Sequence, residues 1–325
     1  MTVPTVPGSN PPFFCPSHHR ELTASANQLM CDAGEGYPVR NGIPRFVPET
    51  TYADAFGLQW QTYKKTQLDS YSGTTITRER LRRCLGEGIW TNLRGSQVLE
   101  CGCGAGRFTE ILLDSGAEVT SIDLSNAVDA NAEAFPVGNG HRVAQADILA
   151  LPFTPQQFDL VLCLGVIQHT PDPEKTIARL ASHVKPGGSL VIDHYTYSLS
   201  WWTKAAPLFR AVLRRLPAES GLRWTERLVS WFLPLHRATR RFYPAHVVVS
   251  RLSPVLCYYR AHPELNDELQ REWALLDTHD SLTDWYRHLR SREALWRALK
   301  QAGVTPTWCE KGGNGVEARA LRPLT

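Results

Sequence analysis

Short apolar runs alternate with helical patterns through the middle of the chain. The apolar runs predict strands at residues 97–101, 118–122, 142–145, 159–163 and 189–194. Between them, apolar positions recur at helical spacing and predict helices at residues 106–115, 126–134 and 174–184. Strands that alternate with helices in this way form a parallel sheet with helices on its faces. The pattern therefore predicts an α/β core.

The same pattern resumes near the end of the chain. A helix is expected over residues 292–301, followed by strands over residues 305–310 and 316–322. The glycine-rich turn at residues 312–315 joins these two strands. A short turn of this kind predicts an antiparallel hairpin. The sequence thus predicts a doubly wound, seven-stranded sheet that closes with an antiparallel C-terminal hairpin.

The stretch between these two parts is helical in pattern. Residues 199–276 predict several helices that prolines interrupt, and the prolines are Pro207, Pro217, Pro234, Pro244 and Pro254. A segment of this length is too long for a simple connection between two elements of a compact domain. We therefore expect an inserted α-helical lid.

Two smaller segments precede the core. Residues 13–48 form a compact module in which Asn41-Gly42 predicts a hairpin turn, and residues 52–95 are helical in pattern. The domains expected are an N-terminal small ribbon module with a disordered, proline-rich start (1–50), a helical cap (51–95), the core (96–198), the lid (199–276) and the C-terminal part of the core (277–325).

A glycine loop follows the first strand of the core. Residues 98–106 predict a buried strand that carries Glu100 and then a loop that contains Gly102, Gly104 and Gly106. The second strand ends in Asp123, where a carboxylate can accept hydrogen bonds from two ribose hydroxyls. The order of strand, glycine loop, helix, strand and acid is typical of a nucleoside-binding βαβ unit.

Two residues argue against a dinucleotide as the ligand of this loop. The dinucleotide pattern G-x-G-x-x-G requires glycine or alanine where Arg107 stands. Glu100, directly before the loop, would repel a pyrophosphate. A carboxylate at that point suits a cationic group instead, such as the amino group of a methionine moiety.

From residue 96 to residue 195 the chain resembles the class I S-adenosylmethionine (SAM)-dependent methyltransferases. The matching motifs, in the family's order and spacing, are Glu100-x-Gly102-x-Gly104-x-Gly106, Asp123, Ala146-Asp147-Ile148, Leu151-Pro152-Phe153, Phe158-Asp159-Leu160-Val161-Leu162-Cys163, Gln168-His169-Thr170-Pro171-Asp172-Pro173 and Lys185-Pro186-Gly187-Gly188. The resemblance implies the Rossmann-like α/β fold of that family. It also implies a methyltransferase enzyme that uses S-adenosyl-L-methionine and releases S-adenosyl-L-homocysteine.

The resemblance also implies which residues bind the cofactor. They are Glu100, Gly102, Cys103, Gly104, Gly106, Asp123, Leu124, Ala146, Asp147, Ile148 and Leu164. In this assignment the acid and glycines of the loop bind the methionine part, and Asp123 binds the ribose. Asp147 meets the adenine amino group, while Leu124 and Ile148 sandwich the adenine ring.

Three histidines are candidates for a general base on the acceptor side. His169 follows the fourth strand, His194 follows the fifth, and His279 lies where the lid returns to the core. If the acceptor is a hydroxyl, a base here is worth roughly 10²–10⁴-fold in rate. The alternative for each histidine is a structural hydrogen bond. Because of these histidines, an oxygen acceptor is preferred over a carbon acceptor.

The N-terminal module resembles a degenerate zinc ribbon of the kind that precedes some methyltransferase domains. The ribbon pattern is C-x2-C, a spacer and a second C-x2-C, but here its second and fourth positions are His18 and Gly34. Cys15, His18 (or His19) and Cys31 can supply three ligands, with Asp32 as a poor fourth. The alternative is a ribbon that holds no metal and is stabilised by apolar packing.

Composition narrows the choice of partners. The chain has 325 residues, a net charge of +3 and eight cysteines, and no apolar run is long enough to span a membrane. Nucleic acid is not expected as the main partner at so small a charge. The absence of a signal-peptide pattern and the number of cysteines favour the cytoplasm.

The lid combines basic and aromatic residues. The basic ones are Lys204, Arg210, Arg214, Arg215, Arg223, Arg227, Arg237, Arg240 and Arg241, and the tryptophans are Trp201, Trp202, Trp224 and Trp231. This composition suits an anionic or amphipathic acceptor, or peripheral contact with an anionic membrane. The alternative is a helical cap whose tryptophans pack on the core and whose arginines face water.

Three functions remain in competition. The first is methylation of a small molecule, such as a natural-product, sugar or lipid-linked metabolite. The second is an RNA methyltransferase, although Leu164-Gly165-Val166-Ile167 stands where amino-methylating enzymes carry an Asn/Asp-Pro-Pro-aromatic motif. The third is a non-catalytic SAM-binding protein. The sequence does not determine the acceptor atom or the oligomeric state.

Overall fold

The computed structural model describes residues 12–48, 51–198 and 204–324. The strands are β1 (Thr23–Ser25), β2 (Gln28–Met30), β3 (Gly36–Arg40), β4 (Ile43–Pro44), β5 (Gln97–Cys101), β6 (Glu118–Asp123), β7 (His141–Gln145), β8 (Phe158–Cys163), β9 (Val184–His194), β10 (Thr305–Gly312) and β11 (Gly315–Leu321). The disordered start expected for the chain, and Trp201 and Trp202 of the expected lid, lie outside these ranges.

The described helices all lie between strands along the chain. They are α1 (Asp54–Thr62), α2 (Asp69–Ser72), α3 (Ile76–Trp90), α4 (Arg107–Asp114), α5 (Ala127–Ala134), α6 (Pro173–His183), α7 (Ala206–Leu213), α8 (Ala218–Thr239), α9 (Tyr243–Leu252), α10 (Asp267–Thr283) and α11 (Arg292–Gln301). Short 3-10 turns follow β7 at Ile148–Ala150 and β8 at Ile167–His169.

The chain divides into two compact units. The first unit comprises Met1–Thr51, Arg78–Thr196 and Tyr286–Thr325, and the second comprises Tyr52–Thr77 and Tyr197–Trp285. The expected helical cap at residues 51–95 is therefore shared between the two units. The end expected for the lid, residue 276, falls inside α10, which continues to Thr283.

The seven-stranded sheet of the first unit has the order β10-β11-β9-β8-β5-β6-β7. The five strands from β9 to β7 are parallel, and β11 is antiparallel to both β9 and β10. This is the Rossmann-like, doubly wound sheet with a closing hairpin that the sequence predicts. The strand order reverses between β5 and β8, and ligands of such sheets bind at the carboxyl ends of the strands beside that point.

The central strands are buried on both faces, as parallel sheets require. In β5, Val98 packs with Leu81 and Leu85 of α3, whereas its neighbour Leu99 packs in a second cluster with Ile177 and Leu180 of α6. Successive side chains of a strand point to opposite faces, so one short apolar run contributes to both layers. This explains why the strand sequences are continuously apolar instead of alternating.

A small sheet with the strand order β1-β2-β3-β4 forms the N-terminal module. Asn41 and Gly42 join β3 to β4 with φ values of 52° and 78°, the left-handed conformation that a two-residue hairpin turn needs. The module continues the edge of the large sheet, because Phe46 N donates a hydrogen bond to Gln145 O of β7 at 2.8 Å. The predicted hairpin is confirmed.

The core of the second unit lies between α7, α8 and α10. Leu228, Val229 and Leu233 of α8 pack with Leu275 and Leu282 of α10. Pro234 was expected to interrupt the helix here, but α8 continues through it from Ala218 to Thr239. Pro234 is exposed, so the backbone carbonyl that loses its partner can be hydrated, and buried neighbours hold the helix together.

The strand predicted at residues 189–194 is also longer in the structure, because the segment Lys185–Gly188 that precedes it belongs to the same strand. The strand β9 begins before this segment, at Val184, which pairs with Phe158, and the regular register resumes at Ser189 opposite Leu160. Four residues on one strand thus face a single residue on the other, as in an extended bulge.

Within the described residues, no helix is long and apolar enough to cross a membrane.

Candidate functional site

The glycine loop connects β5 to α4 and is fastened to β6 by its backbone. Gly102 N and Cys103 N both donate to Ile122 O, at 2.7 and 2.9 Å. Gly104 N donates to Asp123 Oδ2 at 3.0 Å. Gly102, Cys103 and Gly104 of the loop are thereby held in fixed register against the end of β6. This region lies beside the point where the strand order reverses.

Two glycines of the loop are required by their surroundings. Gly102 has a φ of +76° and Gly106 a φ of +102°, conformations that side chains disfavour. A Cβ at Gly102 would overlap Val166 Cγ2, and one at Gly106 would lie 2.5 Å from Phe135 Cε2. The side chains of Val166 and Phe135 already occupy the space that a Cβ would need, so both positions require glycine.

Glu100 braces this loop from within. It is only 3% exposed, and its Oε2 accepts hydrogen bonds from Thr109 Oγ1 at 2.5 Å and from Ser121 Oγ at 3.0 Å. Burial raises the pKa of Glu100 to about 7, against which the Thr109 and Ser121 hydrogen bonds act. These contacts show Glu100 joining β5 to α4 and β6; its predicted contact with the methionine part stays a prediction.

The polar network around Glu100 extends across the sheet. Asn131 Nδ2 donates to Thr109 Oγ1 at 2.9 Å, and His141 Nε2 lies 3.1 Å from Ser121 Oγ. Burial lowers the pKa of His141 to about 4, so its ring is neutral at pH 7. The network thus ties α5 and β7 to the glycine loop through buried hydrogen bonds.

Asp123 is positioned as the sequence predicts, at the end of β6 beside the loop. Its Oδ1 accepts hydrogen bonds from Ser125 N at 2.8 Å and Ser125 Oγ at 2.7 Å, while Oδ2 accepts from Gly104 N. Burial raises its pKa, although these hydrogen bonds oppose the shift. A carboxylate has about four lone-pair positions, so Asp123 retains capacity for a ribose hydroxyl.

The predicted adenine residues follow β7. Ala146 N donates to Asp123 O at 2.9 Å, which brings Asp147 next to the end of β6. Asp147 Oδ1 caps the 3-10 turn by accepting from Leu149 N at 2.8 Å. Leu124 is partly exposed and Ile148 is 8% exposed. The geometry is compatible with the predicted adenine pocket, and the individual contacts stay predictions.

Three predicted cofactor residues are packed inside the protein. Cys103 is 4% exposed and packs with Val128 and Val143, Leu164 belongs to the apolar cluster of β5 and α4, and Ala146 is 1% exposed. Their contacts with the cofactor stay predictions.

His169 and His194 lie together at the carboxyl ends of β8 and β9. The His169 ring packs edge-on against Tyr195, 5.2 Å between centroids, and its Nδ1 lies 3.2 Å from Tyr286 O. His194 is fully buried; Nδ1 contacts Tyr195 O at 2.9 Å and Nε2 accepts from Arg290 Nε at 3.2 Å. Burial lowers the pKa of His194 to about 4. Both ring nitrogens are engaged, which argues against His194 as the base.

His279 belongs to α10 of the second unit. It is fully buried there, with Nδ1 3.3 Å from Thr225 Oγ1 of α8. The structure thus does not place it with His169 and His194 in one unit, and its role as a base stays a prediction.

The sequence reasoning missed a buried ion pair at this edge of the sheet. Arg80 Nη2 of α3 binds Asp193 Oδ2 at 2.7 Å, and Gly165 N donates to Asp193 Oδ1 at 2.6 Å. Asp193 is fully buried, so it needs both partners. The pair fixes the loop after β8 and holds α3 to β9. The sequence offered one sign of this ion pair, because Asp193 is an acid directly before His194 at the end of a predicted strand.

The N-terminal module brings the three predicted metal ligands together. Cys15 Sγ and Cys31 Sγ lie 3.4 and 3.9 Å from His18 Nδ1, and the three donor atoms are all within 4.8 Å of one another. A tetrahedral zinc ion with ordinary bond lengths separates sulfur and nitrogen ligands by about 3.6 Å. The arrangement therefore fits a zinc ion.

Two carboxylates lie beside this group. Glu35 Oε2 lies 3.1 Å from Cys15 Sγ and 3.6 Å from His18 Nδ1. Asp32 Oδ1 lies 3.6 Å from Cys31 Sγ, while its Oδ2 accepts from Arg20 Nη1 at 2.9 Å. Asp32 as a poor fourth ligand therefore stays a prediction. Glu35, which directly follows Gly34 of the ribbon pattern, is a second candidate that the sequence did not suggest.

Comparison with known proteins agrees with the fold and the loop. Residues 99–192 match the family model described as a methyltransferase domain. Over 102 residues the chain is 39% identical to the ubiquinone biosynthesis O-methyltransferase of Pseudomonas fluorescens (strain Pf0-1), covering 30% of this chain and 44% of that protein. Over 130 residues it is 33% identical to the same enzyme of Methylococcus capsulatus, covering 39% and 55%.

The chain therefore spans about half the length of the curated relatives it matches. Among solved structures, magnesium protoporphyrin IX methyltransferase from Synechocystis PCC 6803 with bound SAH aligns with a TM-score of 0.46 and 14% identity, over 83% of this chain and 96% of that one. The region that matches the methyltransferase-domain model contains the glycine loop.

The crowding at Gly102 can be separated from its backbone conformation. Gly95 also has a positive φ, +73°, but a Cβ there meets nothing within 4 Å. Gly95→Ala should cost about 1 kcal/mol in the free energy of unfolding from left-handed strain alone. Gly102→Ala should cost roughly 1–3 kcal/mol more because it also overlaps Val166. Urea unfolding measures both.

A double variant provides the control for this prediction. Val166→Ala removes both methyl groups that the new Cβ would meet, so Gly102→Ala/Val166→Ala should recover part of the extra cost. Equal losses for Gly95→Ala and Gly102→Ala would show that crowding at Val166 has no role.

Ionisation of Glu100 should make folding less favourable at high pH. Its pKa is about 7 in the fold against an ordinary value of 4.5, so its contribution is fully present below about pH 4.5 and is lost as pH rises through 7. The loss is about 3 kcal/mol. We expect Glu100→Gln to lack this component, seen by urea unfolding at pH 5 and pH 8.

Since other groups titrate too, the comparison is between the pH slopes of two proteins. The exposed Glu133→Gln on α5 should keep the wild-type slope. An unchanged slope in Glu100→Gln would mean that Glu100 is already ionised in the fold at pH 5.

Proposed function

We propose that this protein is a SAM-dependent methyltransferase that transfers a methyl group to an oxygen atom of a small molecule. The observation that supports this most is the glycine loop, fastened to Asp123 at the reversal of strand order and lying within the matched domain. The name of the curated relatives, ubiquinone biosynthesis O-methyltransferase, favours an oxygen acceptor.

The residues of the loop fit this cofactor. Gly102 and Gly106 hold the backbone of the loop in positive-φ conformations against Val166 and Phe135. Asp123 and Asp147 each present a carboxylate at the end of a neighbouring strand. S-adenosyl-L-methionine would supply an electrophilic methyl group. We assign the methionine part to the loop with Glu100, the ribose to Asp123, and the adenine amino group to Asp147, between Leu124 and Ile148.

The protein's own contribution to the reaction is alignment, exclusion of water and proton removal. His169 is the stronger candidate for the base, because it lies at the carboxyl end of β8 in the unit that contains the loop. His279 is the second candidate. A base is worth roughly 10²–10⁴-fold in rate, so a slow reaction persists without it.

We further propose that the acceptor is amphipathic and reached at an anionic membrane surface. On α8, Trp224, Trp231 and Leu235 are 40, 59 and 50% exposed and lie on one helical face. Arg227 stacks over Trp224 on the same face, with its guanidinium carbon 5.0 Å from the ring centroid. Exposed aromatic residues among arginines are typical of helices that rest on anionic lipid headgroups.

The free cysteines favour a cytoplasmic setting.

The two alternative functions remain testable beside this one. An RNA methyltransferase is disfavoured by the slight net charge and by Leu164-Gly165 after β8. A non-catalytic SAM-binding protein is disfavoured by the intact acids of the site, Glu100, Asp123 and Asp147.

Transfer of label from tritiated SAM distinguishes these functions. The protein is incubated with protein-free cell extract, which is then divided into an organic phase, an aqueous small-molecule fraction and RNA. We expect label in the organic phase. Asp123→Asn should lower the rate by about ten- to a hundredfold at limiting SAM, the cost of weakening hydrogen bonds to a charged group.

Asp114→Asn, an exposed acid at the end of α4, is the matched control and should retain the wild-type rate. Label confined to RNA would establish the RNA methyltransferase instead. Binding of SAM without labelling of any fraction would establish the non-catalytic protein.

We also propose that the N-terminal module holds a structural zinc ion through Cys15, His18, Cys31 and Glu35. Cys15 and Cys31 are buried, while His18 and Glu35 close the site from the surface. Such an ion would link the start of the module to the β2–β3 turn, beside the small apolar core of Cys15, Leu22 and Cys31 and the partly buried side chains that pack on it.

Metal analysis of the purified protein tests the N-terminal zinc. Cys15→Ser should lose one equivalent of zinc relative to wild type, and Glu35→Gln should bind it at least about tenfold more weakly. Cys309→Ser, a buried cysteine of β10 outside the module, is the control and should lose none. Equal zinc contents in wild type and Cys15→Ser would contradict the proposal.

A further inference from the structure

The second unit contains another group of metal-binding side chains. His236 of α8, His246 of α9 and Cys257 of the segment after α9 each offer one donor atom, and the three atoms lie within 4.8 Å of one another. His236 Nδ1 is 3.2 Å from Cys257 Sγ, and the two imidazole centroids are 5.6 Å apart. This group is unrelated to the N-terminal module and to the glycine loop.

The histidines are not satisfied by the protein around them. His236 is only 1% exposed, yet its Nε2 has no hydrogen-bond partner among the described residues. Nδ1 of His246, also shielded from solvent, likewise has none in the part of the chain that the structure describes. Leaving a buried polar atom unpaired costs about 1–3 kcal/mol, so the unpaired Nδ1 of His246 in this group requires an explanation. His236 would bind an ion through Nδ1, the nitrogen beside Cys257 Sγ, and keep its proton on Nε2.

We propose that His236, His246 and Cys257 form a second zinc-class metal site, in the helical second unit. Two imidazoles and a thiolate suit a borderline cation such as Zn²⁺, and the 3.2 Å separation of nitrogen and sulfur is close to the ligand spacing of about 3.6 Å around tetrahedral zinc. Three protein ligands leave the fourth position open to water or to another molecule.

Burial raises the pKa of the Cys257 thiol to about 11, against which Lys204 acts, so a bound cation would have to displace the thiol proton. Burial lowers the pKa of His236 to about 4 and also lowers the pKa of His246, which favours the neutral imidazoles that bind metals. An ion here would connect α8, α9 and the segment that leads to α10, so the site would stabilise the second unit against local opening.

Zinc and cobalt titrations of the full-length apo protein test this site. Wild type should bind two equivalents if the N-terminal site is also real, and Cys31→Ser, which disables that site, should retain one. In the Cys31→Ser protein, Co²⁺ should produce a near-ultraviolet thiolate-to-cobalt band. Adding Cys257→Ser should abolish the band, and adding His246→Gln should weaken binding at least about tenfold.

His262→Gln, which changes a histidine of the same unit outside the group, should leave the Co²⁺ band unchanged and serves as the control. The apo forms of wild type and His246→Gln should unfold at similar temperatures, so lost binding is not lost folding. Absence of a tight equivalent in Cys31→Ser, or its retention after Cys257→Ser, would overturn the proposal. Failure of the N-terminal site alone would leave one equivalent that depends on Cys257.

Discussion

The glycine loop depends on one buried carboxylate. Glu100 stands at the end of β5, and its hydrogen bonds to Thr109 and Ser121 join the loop's strand to the helix that follows and to the next strand. Burying this group is costly, since its pKa rises to about 7. This unfavourable burial lies at the point where the loop must stay rigid and its backbone N–H groups must stay in place.

The order of the strands in the sheet determines where a reaction can take place around that carboxylate. The order reverses between β5 and β8, so the loops after both strands open toward the same crevice. Asp193 fixes the loop after β8 through Gly165 N and is itself held by Arg80. The loop after β5 and the loop after β8 are thus each fastened by a buried acid, Glu100 for the first and Asp193 for the second.

Much of the first unit was predictable from sequence. Strands buried on both faces are continuously apolar, and the glycine loop has backbone requirements that few sequences meet, so local pattern and tertiary structure agree there. The bounds of α11 and β5 are as predicted. Prolines were less informative, because Pro234 lies on an exposed face of α8 and the helix tolerates it. Helix pattern alone also did not indicate that α10 continues past residue 276.

The contacts that prediction missed join residues far apart in the chain. Arg80 and Asp193, Cys15 and Glu35, and His236 and Cys257 meet only through the fold, and no periodicity marks them. His194 is the opposite case. Its position at the end of β9 suggested a general base, but Arg290 Nε donates a hydrogen bond to its Nε2. Residue type and strand position indicate where a site lies, whereas the hydrogen-bond partners determine what each side chain can do.

Calorimetric titration with S-adenosyl-L-homocysteine, run in parallel with NADH, tests the central claim most directly. The loop described here should bind one equivalent of S-adenosyl-L-homocysteine and should give no binding heat with NADH, since Glu100 and Arg107 depart from the dinucleotide pattern. Binding of NADH in preference, or of neither compound by the folded protein, would contradict the account of the glycine loop.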